Sequence, residues 1–188
     1  MSKQIYKDSF DDGKQELKEN LEIMTQLRDN ILAPKNCARI KYRGMLDYAQ
    51  AKTVEVQAMA EQEGLVSVSD DLQSVLSLLR KLMSCDVFDS PIGKFEIFGL
   101  EEKEIREISH NPLKYYGIDH LMPDCKYGLL CASVNVLRTV VRQTEIFAID
   151  AYVVDEEIGH KDLICALNRI SSAVYIIYCR LISGFYKS

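Results

Sequence analysis

Among Cys37, Cys85, Cys125, Cys131, Cys165 and Cys179 there is no C-x-x-C and no C-C pair. That spacing excludes the common tetrahedral zinc motifs and a disulfide framework, so no metal site is assigned and reduced thiols in a cytoplasmic protein are expected. Cys85, Cys131, Cys165 and Cys179 lie in apolar helical stretches and read as small core residues. No secretory signal is recognisable and no apolar run approaches a membrane span. The nearest, Val174 to Ile182, is interrupted by Tyr178, Cys179 and Arg180, so no membrane partner is expected. Positive charge is not in excess either. A net charge of −5 argues against a nucleic-acid partner, whose phosphate backbone needs a basic surface. There is no internal repeat, no low-complexity tract and no triad-like pattern announcing a protein nucleophile.

What is present fits one globular unit. The 188 residues are 47% hydrophobic and 27% charged, enough for a sizeable core. Leu17, Leu21, Met24, Leu27 and Ile31 alternate steps of four and three, predicting a first helix over Lys14 to Ile31. Pro34 ends it, because a proline disfavours helical geometry at the residue before it. Residues 1–36 thus read as an N-terminal helix and linker, and 37–188 as the main helical domain. Asp11-Asp12-Gly13-Lys14 reads as a turn.

A second helix is predicted from about Met45 to Gln62, stopped at Gly64, and a third begins at Ser69-Asp70-Asp71 and ends at Asp89-Ser90-Pro91. Lys94 to Gly99 suggests a short strand or extended loop, and Glu101 to Ser109 a short helix. Asn111 to Tyr127, with Pro112, Pro123, Gly117 and Tyr115, Tyr116 and Tyr127, reads as a loop of functional length. Two long helices follow, roughly Leu129 to Val154 and His160 to Ser183. The expected fold is all-α, an up-and-down bundle of about five helices.

The last two helices carry the chemistry. Leu130, Val134, Leu137, Val141, Thr144, Ala148 and Ala151 form a heptad-like seam with one polar member, and Leu163, Leu167, Ile170, Val174, Ile177 and Leu181 form another. Beside the first seam, Arg138, Arg142 and Glu145 share one helical face. Two arginines one turn apart repel unless an anion or flanking carboxylates compensate them. A solvated charged face and a polyphosphate site are both consistent with the pattern alone. Asn168 and Arg169 fall just outside the second seam. Ser109-His110-Asn111-Pro112 and Asp119-His120-Leu121-Met122-Pro123 bracket the tyrosine-bearing loop. His110 and His120 suit loop packing or substrate contact better than metal ligation, because ten residues apart on one loop is no ligand spacing. Phe98, Tyr115 and Tyr116 could wall a flat apolar ligand or serve as ordinary core aromatics.

The blocks Leu137-Arg138-Thr139 with Arg142 and Glu145, and Ala166-Leu167-Asn168-Arg169-Ile170-Ser171-Ser172, together with the two loop motifs, Arg39 to Asp47 and Leu79 to Leu100, resemble the ATP:cob(I)alamin adenosyltransferases. The ethanolamine-utilisation branch is the most similar, over roughly Cys37 to Leu181. The resemblance implies transfer of the 5′-deoxyadenosyl group of ATP to reduced cobalamin. Cobalt(I) itself would attack the 5′ carbon, so the protein would neutralise the leaving polyphosphate, place the reactants and exclude water. It further implies Mg²⁺, with Arg138, Arg142 and Asp47 catalytic and Glu145, Asn168, Arg138 and Arg142 binding the nucleotide. Asp47 would pair with Arg138 across a subunit boundary of a homotrimer. A cobalamin reductase and ethanolamine ammonia-lyase are the implied protein partners, in the cytoplasm or a bacterial microcompartment.

Two departures from the family pattern stand out. Met1 to Asn36 contains no threonine- and glycine-rich phosphate loop, and the His-plus-clustered-Cys metal motif of some ethanolamine-branch members is missing. Two other functions compete with turnover: a nucleotide- or corrinoid-binding bundle without catalysis, and a structural helical module.

Overall fold

The computed structural model describes residues 4–5, 21–28, 31–119, 122–154 and 157–187. The bundle is made by α1 (Ala38–Gln62), α2 (Val66–Phe88), α5 (Gly128–Tyr152) and α6 (Lys161–Ser183). Two shorter helices, α3 (Glu102–His110) and α4 (Pro112–Tyr116), lie between α2 and α5. In α1 the buried residues Tyr42, Leu46, Ala49, Thr53, Val56 and Ala60 repeat in steps of four and three, so one stripe faces the core. α5 packs on α1 and α6, and α2 packs on the same two helices. Both seams expected from the sequence are buried in this core, apart from Ala151 and Leu181 at their ends, which are half-buried.

Thr144, the polar member of the α5 seam, is fully buried without cost to its hydroxyl. It donates to its own helix at the Val140 carbonyl (2.9 Å) and can also reach the Met45 carbonyl of α1 (3.2 Å). A buried hydroxyl is tolerated when it finds an acceptor. By length and composition α6 could cross a bilayer, but its apolar residues are largely buried in the bundle.

The connections follow local chemistry. α1 ends before Gly64 in the left-handed region (φ 71°), where the Leu65 amide reaches back to the Ala60 carbonyl at 2.9 Å. α2 begins at Val66, three residues before the expected Ser69, which is buried inside the helix. Glu101 and Glu104 form a reciprocal capping box that starts α3. β4 (Glu96–Ile97) and β5 (Leu100–Glu101) make a small hairpin where a short strand was expected. The 111–127 segment is partly helical, with α4 and a 3₁₀ turn at Cys125–Tyr127. A second small hairpin, β6 (Val153–Val154) and β7 (Glu157–Ile158), joins α5 to α6.

The expected N-terminal helix is corrected. Met24–Arg28 is a strand, β2, paired antiparallel with β3 (Ile31–Pro34), and β1 (Gln4–Ile5) pairs parallel with β3, giving the order β1-β3-β2. The register shifts between Gln26 and Arg28, so Leu27 is bulged and falls on the same buried side as Met24. A bulge turns a two-residue repeat into a step of three, which mimics helical periodicity in the sequence. Leu27, Ala33 and Cys37 form a small apolar cluster separate from the main core. The Asp11–Lys14 turn, the Lys14–Asn20 part of that helix and His120 lie outside the described residues.

Candidate functional site

Two parallel stripes define the site. On α5, Asn135, Arg138, Arg142 and Glu145 recur in steps of three and four. On α6, Asn168, Ser171, Tyr175 and Tyr178 do the same. Both stripes run beside the buried seams, so side chains that reach the margin between α5 and α6 stand on rigid backbone.

A cavity of about 530 Å³ opens along this margin. Asn135, Arg138 and Arg142 come from α5, and Ser171, Ser172, Tyr175 and Tyr178 from α6. The facing wall is Ser109, His110 and Pro112, completed by Met122 and Pro123. The volume lies within the range of cofactor sites, about 300–1,000 Å³. The two loop motifs singled out in the sequence therefore meet the arginine block in space.

The arginines are held without counter-charge. Arg138 is half-buried and donates from Nε to Asn135 Oδ1 at 3.1 Å, a neutral acceptor that fixes the guanidinium. Burial first, and the adjacent Arg142 second, lower its proton affinity below the arginine norm. Among the described residues no carboxylate forms an ion pair with Arg138 or Arg142. An anion between them would offset both the burial and the repulsion.

One turn along α5, Glu145 Oε1 accepts from Asn168 Nδ2 at 3.0 Å, and the Asn168 carbonyl accepts from the Ser171 hydroxyl at 2.9 Å. With its amide so committed, Asn168 turns its Oδ1 away from that bond. Asn168 Oδ1 and the second Glu145 oxygen are hard donors of the kind that bind Mg²⁺ alongside phosphate. Neither Asn168 nor Glu145 lines the cavity. Arg169 is half-buried and does not line the cavity.

Asp47 is exposed on α1 and forms no ion pair with Arg138 of its own chain. Phe98, Tyr115 and Tyr116 do not line the cavity. Phe98 lies under the Arg180 guanidinium, Tyr115 donates to Glu107, and Tyr116 packs against the core. The aromatic wall comes instead from Tyr175 and Tyr178, whose rings are 6.5 Å apart. Burial is the main reason the Tyr175 phenol is pushed up to about 12, with Cys179 adding to it. The α6 three-four stripe continuing from Asn168 was the signal for these tyrosines. It was hidden because tyrosine also suits the core stripe next to it.

A second arginine cluster sits at the far end of the bundle. Asp86, with no exposed surface, accepts from Arg39 Nε (2.7 Å), from Arg43 Nε and from the Tyr152 hydroxyl. Arg39 Nη2 also reaches the Asp86 carbonyl at 2.8 Å and Asp89 at 3.3 Å, while Arg28 and His160 Nε2 contact Asp89. Burial opposes the charge of Arg39, but Asp86 outweighs it and its proton affinity rises. The Tyr42 hydroxyl and Arg43 Nη2 are buried without hydrogen-bond partners.

The cysteines are all free thiols. Cys37, Cys85, Cys131 and Cys179 are buried, Cys125 is exposed, and Cys165, expected in the core, is only half-buried with its thiol 3.7 Å from Glu102 Oε2. Among the described residues no three His, Cys, Asp or Glu side chains are grouped to hold a metal ion.

Comparison with known proteins agrees with this geometry. The chain is 35% identical over 155 residues to the corrinoid adenosyltransferase EutT of Salmonella typhimurium strain LT2, covering 82% of this chain and 57% of that protein. It is 32% identical over 155 residues, with the same coverage, to the corrinoid adenosyltransferase EutT of Escherichia coli K12. The chain thus spans 57% of the length of these relatives. No solved structure matches it. The model of the cobalamin adenosyltransferase family matches residues 22–181, most of the chain, and the chain belongs to that family.

Proposed function

We propose that this protein transfers the 5′-deoxyadenosyl group of ATP to reduced cobalamin, forming adenosylcobalamin for ethanolamine utilisation. The single observation that carries this reading is the Arg138–Arg142 pair, which no carboxylate among the described residues compensates, on one wall of a cavity whose other surfaces combine Tyr175, Tyr178, Met122 and two prolines with serines and His110. One side suits a polyphosphate and the other suits the flat face of a corrinoid. Both cobalt(I) electrons enter the new carbon–cobalt bond while the bonding pair of the 5′ carbon–oxygen bond leaves with triphosphate. No protein nucleophile is needed.

Arg142 and Arg138 bind the departing phosphates, Asn135 holds the Arg138 guanidinium in place, and Tyr175 and Tyr178 exclude water. Glu145 and Asn168 would hold a Mg²⁺ ion, which when bound would further neutralise the phosphate charge.

The catalytic unit is a homotrimer in which Asp47 reaches Arg138 of a neighbour. Exposed Tyr48 and Val54 on α1 and Val136, Ile146 and Ile149 on α5 support a surface that meets another copy. The test is anaerobic: chemically generated cob(I)alamin, ATP and magnesium are mixed with the protein and the spectrum of adenosylcobalamin is followed. Absence of product from folded protein refutes turnover. Binding of ATP and corrinoid without product leaves a non-catalytic binding bundle. Mixed Asp47→Ala and Arg142→Ala subunits, each inactive alone, should regain some activity if the site is shared, and no complementation refutes sharing.

A further inference from the structure

The cavity wall that faces the arginines is made by the end of α3 (Ser109, His110), by Pro112 of α4 and by Met122 and Pro123 ahead of α5. α4 has no buried residue. Its Lys114 ammonium (2.9 Å) and Tyr115 hydroxyl (2.7 Å) both bond Glu107, and the Asn111 amide that precedes α4 donates to the Glu107 carbonyl at 2.8 Å. Those bonds tie α4 to α3, not to the four long helices. Tyr116 connects α4 to the long helices, as Tyr127 does further along the segment. Its ring packs on the main core and lies edge-on to Phe185, and its hydroxyl accepts from Arg180 Nε at 3.3 Å.

Arg180 is a rigid anchor for that bond. Its guanidinium lies 4.6 Å from the centre of the Phe98 ring and 4.9 Å from that of Phe185, and its Nη1 donates to Asp71 at 2.7 Å. The Tyr186 hydroxyl donates to the same Asp71 oxygen at 2.6 Å. α2, α6 and the C-terminal 3₁₀ turn Phe185–Lys187 therefore converge on one side chain, and a guanidinium so stacked and paired has few other rotamers.

Tyr116 lies in the chain between the two parts of the wall, with Ser109, His110 and Pro112 before it and Met122 and Pro123 after it. Neither Tyr116 nor Arg180 lines the cavity itself. We propose that the Tyr116–Arg180 bond is a positioning contact, setting the wall that receives the corrinoid without touching either substrate. The inference rests on the reading of the cavity as a corrinoid site.

The test compares wild type with Tyr116→Phe, which removes only the hydroxyl, and with Arg180→Lys, which keeps the charge but loses the planar fork. Steady-state rates are measured against cob(I)alamin and ATP separately. Binding of cob(II)alamin to the ATP-loaded protein is measured by equilibrium dialysis. The expected result for Tyr116→Phe is a rise of about fivefold in the KM and Kd for corrinoid, the scale of one net hydrogen bond. KM for ATP, kcat at saturation and the unfolding midpoint should be unchanged. Arg180→Lys should show the same split with some loss of stability. A Tyr116→Phe protein with wild-type corrinoid KM and Kd, or with both KM values raised together, overturns the positioning role while the adenosyl transfer of the wild type stands. A wild type that binds no corrinoid overturns both.

Discussion

The two arginine pairs of this protein have the same composition and opposite surroundings. Arg39 and Arg43, one turn apart on α1, converge on the buried carboxylate of Asp86. Arg138 and Arg142, one turn apart on α5, face a cavity, and the nearer polar partner of Arg138 is the neutral amide of Asn135. The first pair is complete within the chain and joins α1 to α2, with Tyr152 of α5 on the same carboxylate. The second carries repulsion that no carboxylate among the described residues cancels. An arginine pair whose carboxylate is present is structural, whereas one left facing a cavity is held ready for an anion from outside.

The comparison is put at greatest risk by removing the carboxylate from the first pair. Asp86→Ala removes the acceptor of Arg43 Nε and of the Tyr152 hydroxyl and leaves Arg39 only a backbone carbonyl and Asp89, and breaking such a site typically costs about 3–5 kcal/mol. The urea midpoint should fall accordingly, and Asp86→Asn should recover only part of it. An unchanged midpoint would mean that this cluster, too, is held without need of its anion.

Arg142→Ala should behave in the opposite way. Losing one charged contact to the departing phosphates should lower kcat/KM by on the order of a hundredfold or more. Stability should stay the same or rise slightly, because Arg138 loses a like-charged neighbour. Inorganic triphosphate should raise the unfolding midpoint of wild type through mass action and do much less for the variant. If Arg142→Ala instead unfolds the protein while keeping activity per folded molecule, the two pairs are alike and the site assignment fails.

A smaller effect separates orientation from charge. Asn135→Ala removes the acceptor for Arg138 Nε but no charge, so KM for ATP should rise several-fold, the scale of one net hydrogen bond, with kcat nearly preserved. A change in kcat alone, with KM for ATP untouched, would deny Asn135 that role.

What the sequence made legible tracks how local the signal was. The α5 and α6 seams were visible because three-four steps of apolar residues dictate a helix face, and the Arg138, Arg142 and Glu145 stripe could be placed from the same period. The meeting of that stripe with Ser109, His110, Met122 and Pro123 was foreshadowed only by the family resemblance, because a chain crossing carries no period of its own. Met24, Leu27 and Ile31 misled for a physical reason: the bulge at Leu27 gave strands a helical spacing. The Asp86 cluster was not legible at all. Its members lie on three helices, α1, α2 and α5, on strand β2 and in two connecting segments, and an aspartate near a helix end reads from sequence as a surface cap.

The mildest test concerns Asp89, at the exposed edge of the first cluster. Burial would raise its carboxyl, but the hydrogen bonds from Arg28 and then His160 prevail and hold it at about 2, below the usual carboxylate range. A carboxyl depressed in the folded state adds stability above its unfolded pKa, about 3.9, and that contribution is lost as pH falls through the folded value. The wild type should therefore lose part of its stability between about pH 4 and pH 2 on account of this group. In Asp89→Asn that part of the acid limb should be flatter, with a modestly lower midpoint near neutrality and convergence with wild type at the acid end. The side chain is 36% exposed, so solvent keeps the difference small. Arg142→Ala should leave the same limb unchanged, since no carboxylate among the described residues depends on it. Urea midpoints from pH 2 to pH 6 for the three proteins decide the matter: an acid limb altered by Arg142→Ala and not by Asp89→Asn would place the chain's own counter-charge at the cavity and reverse the contrast between the two pairs.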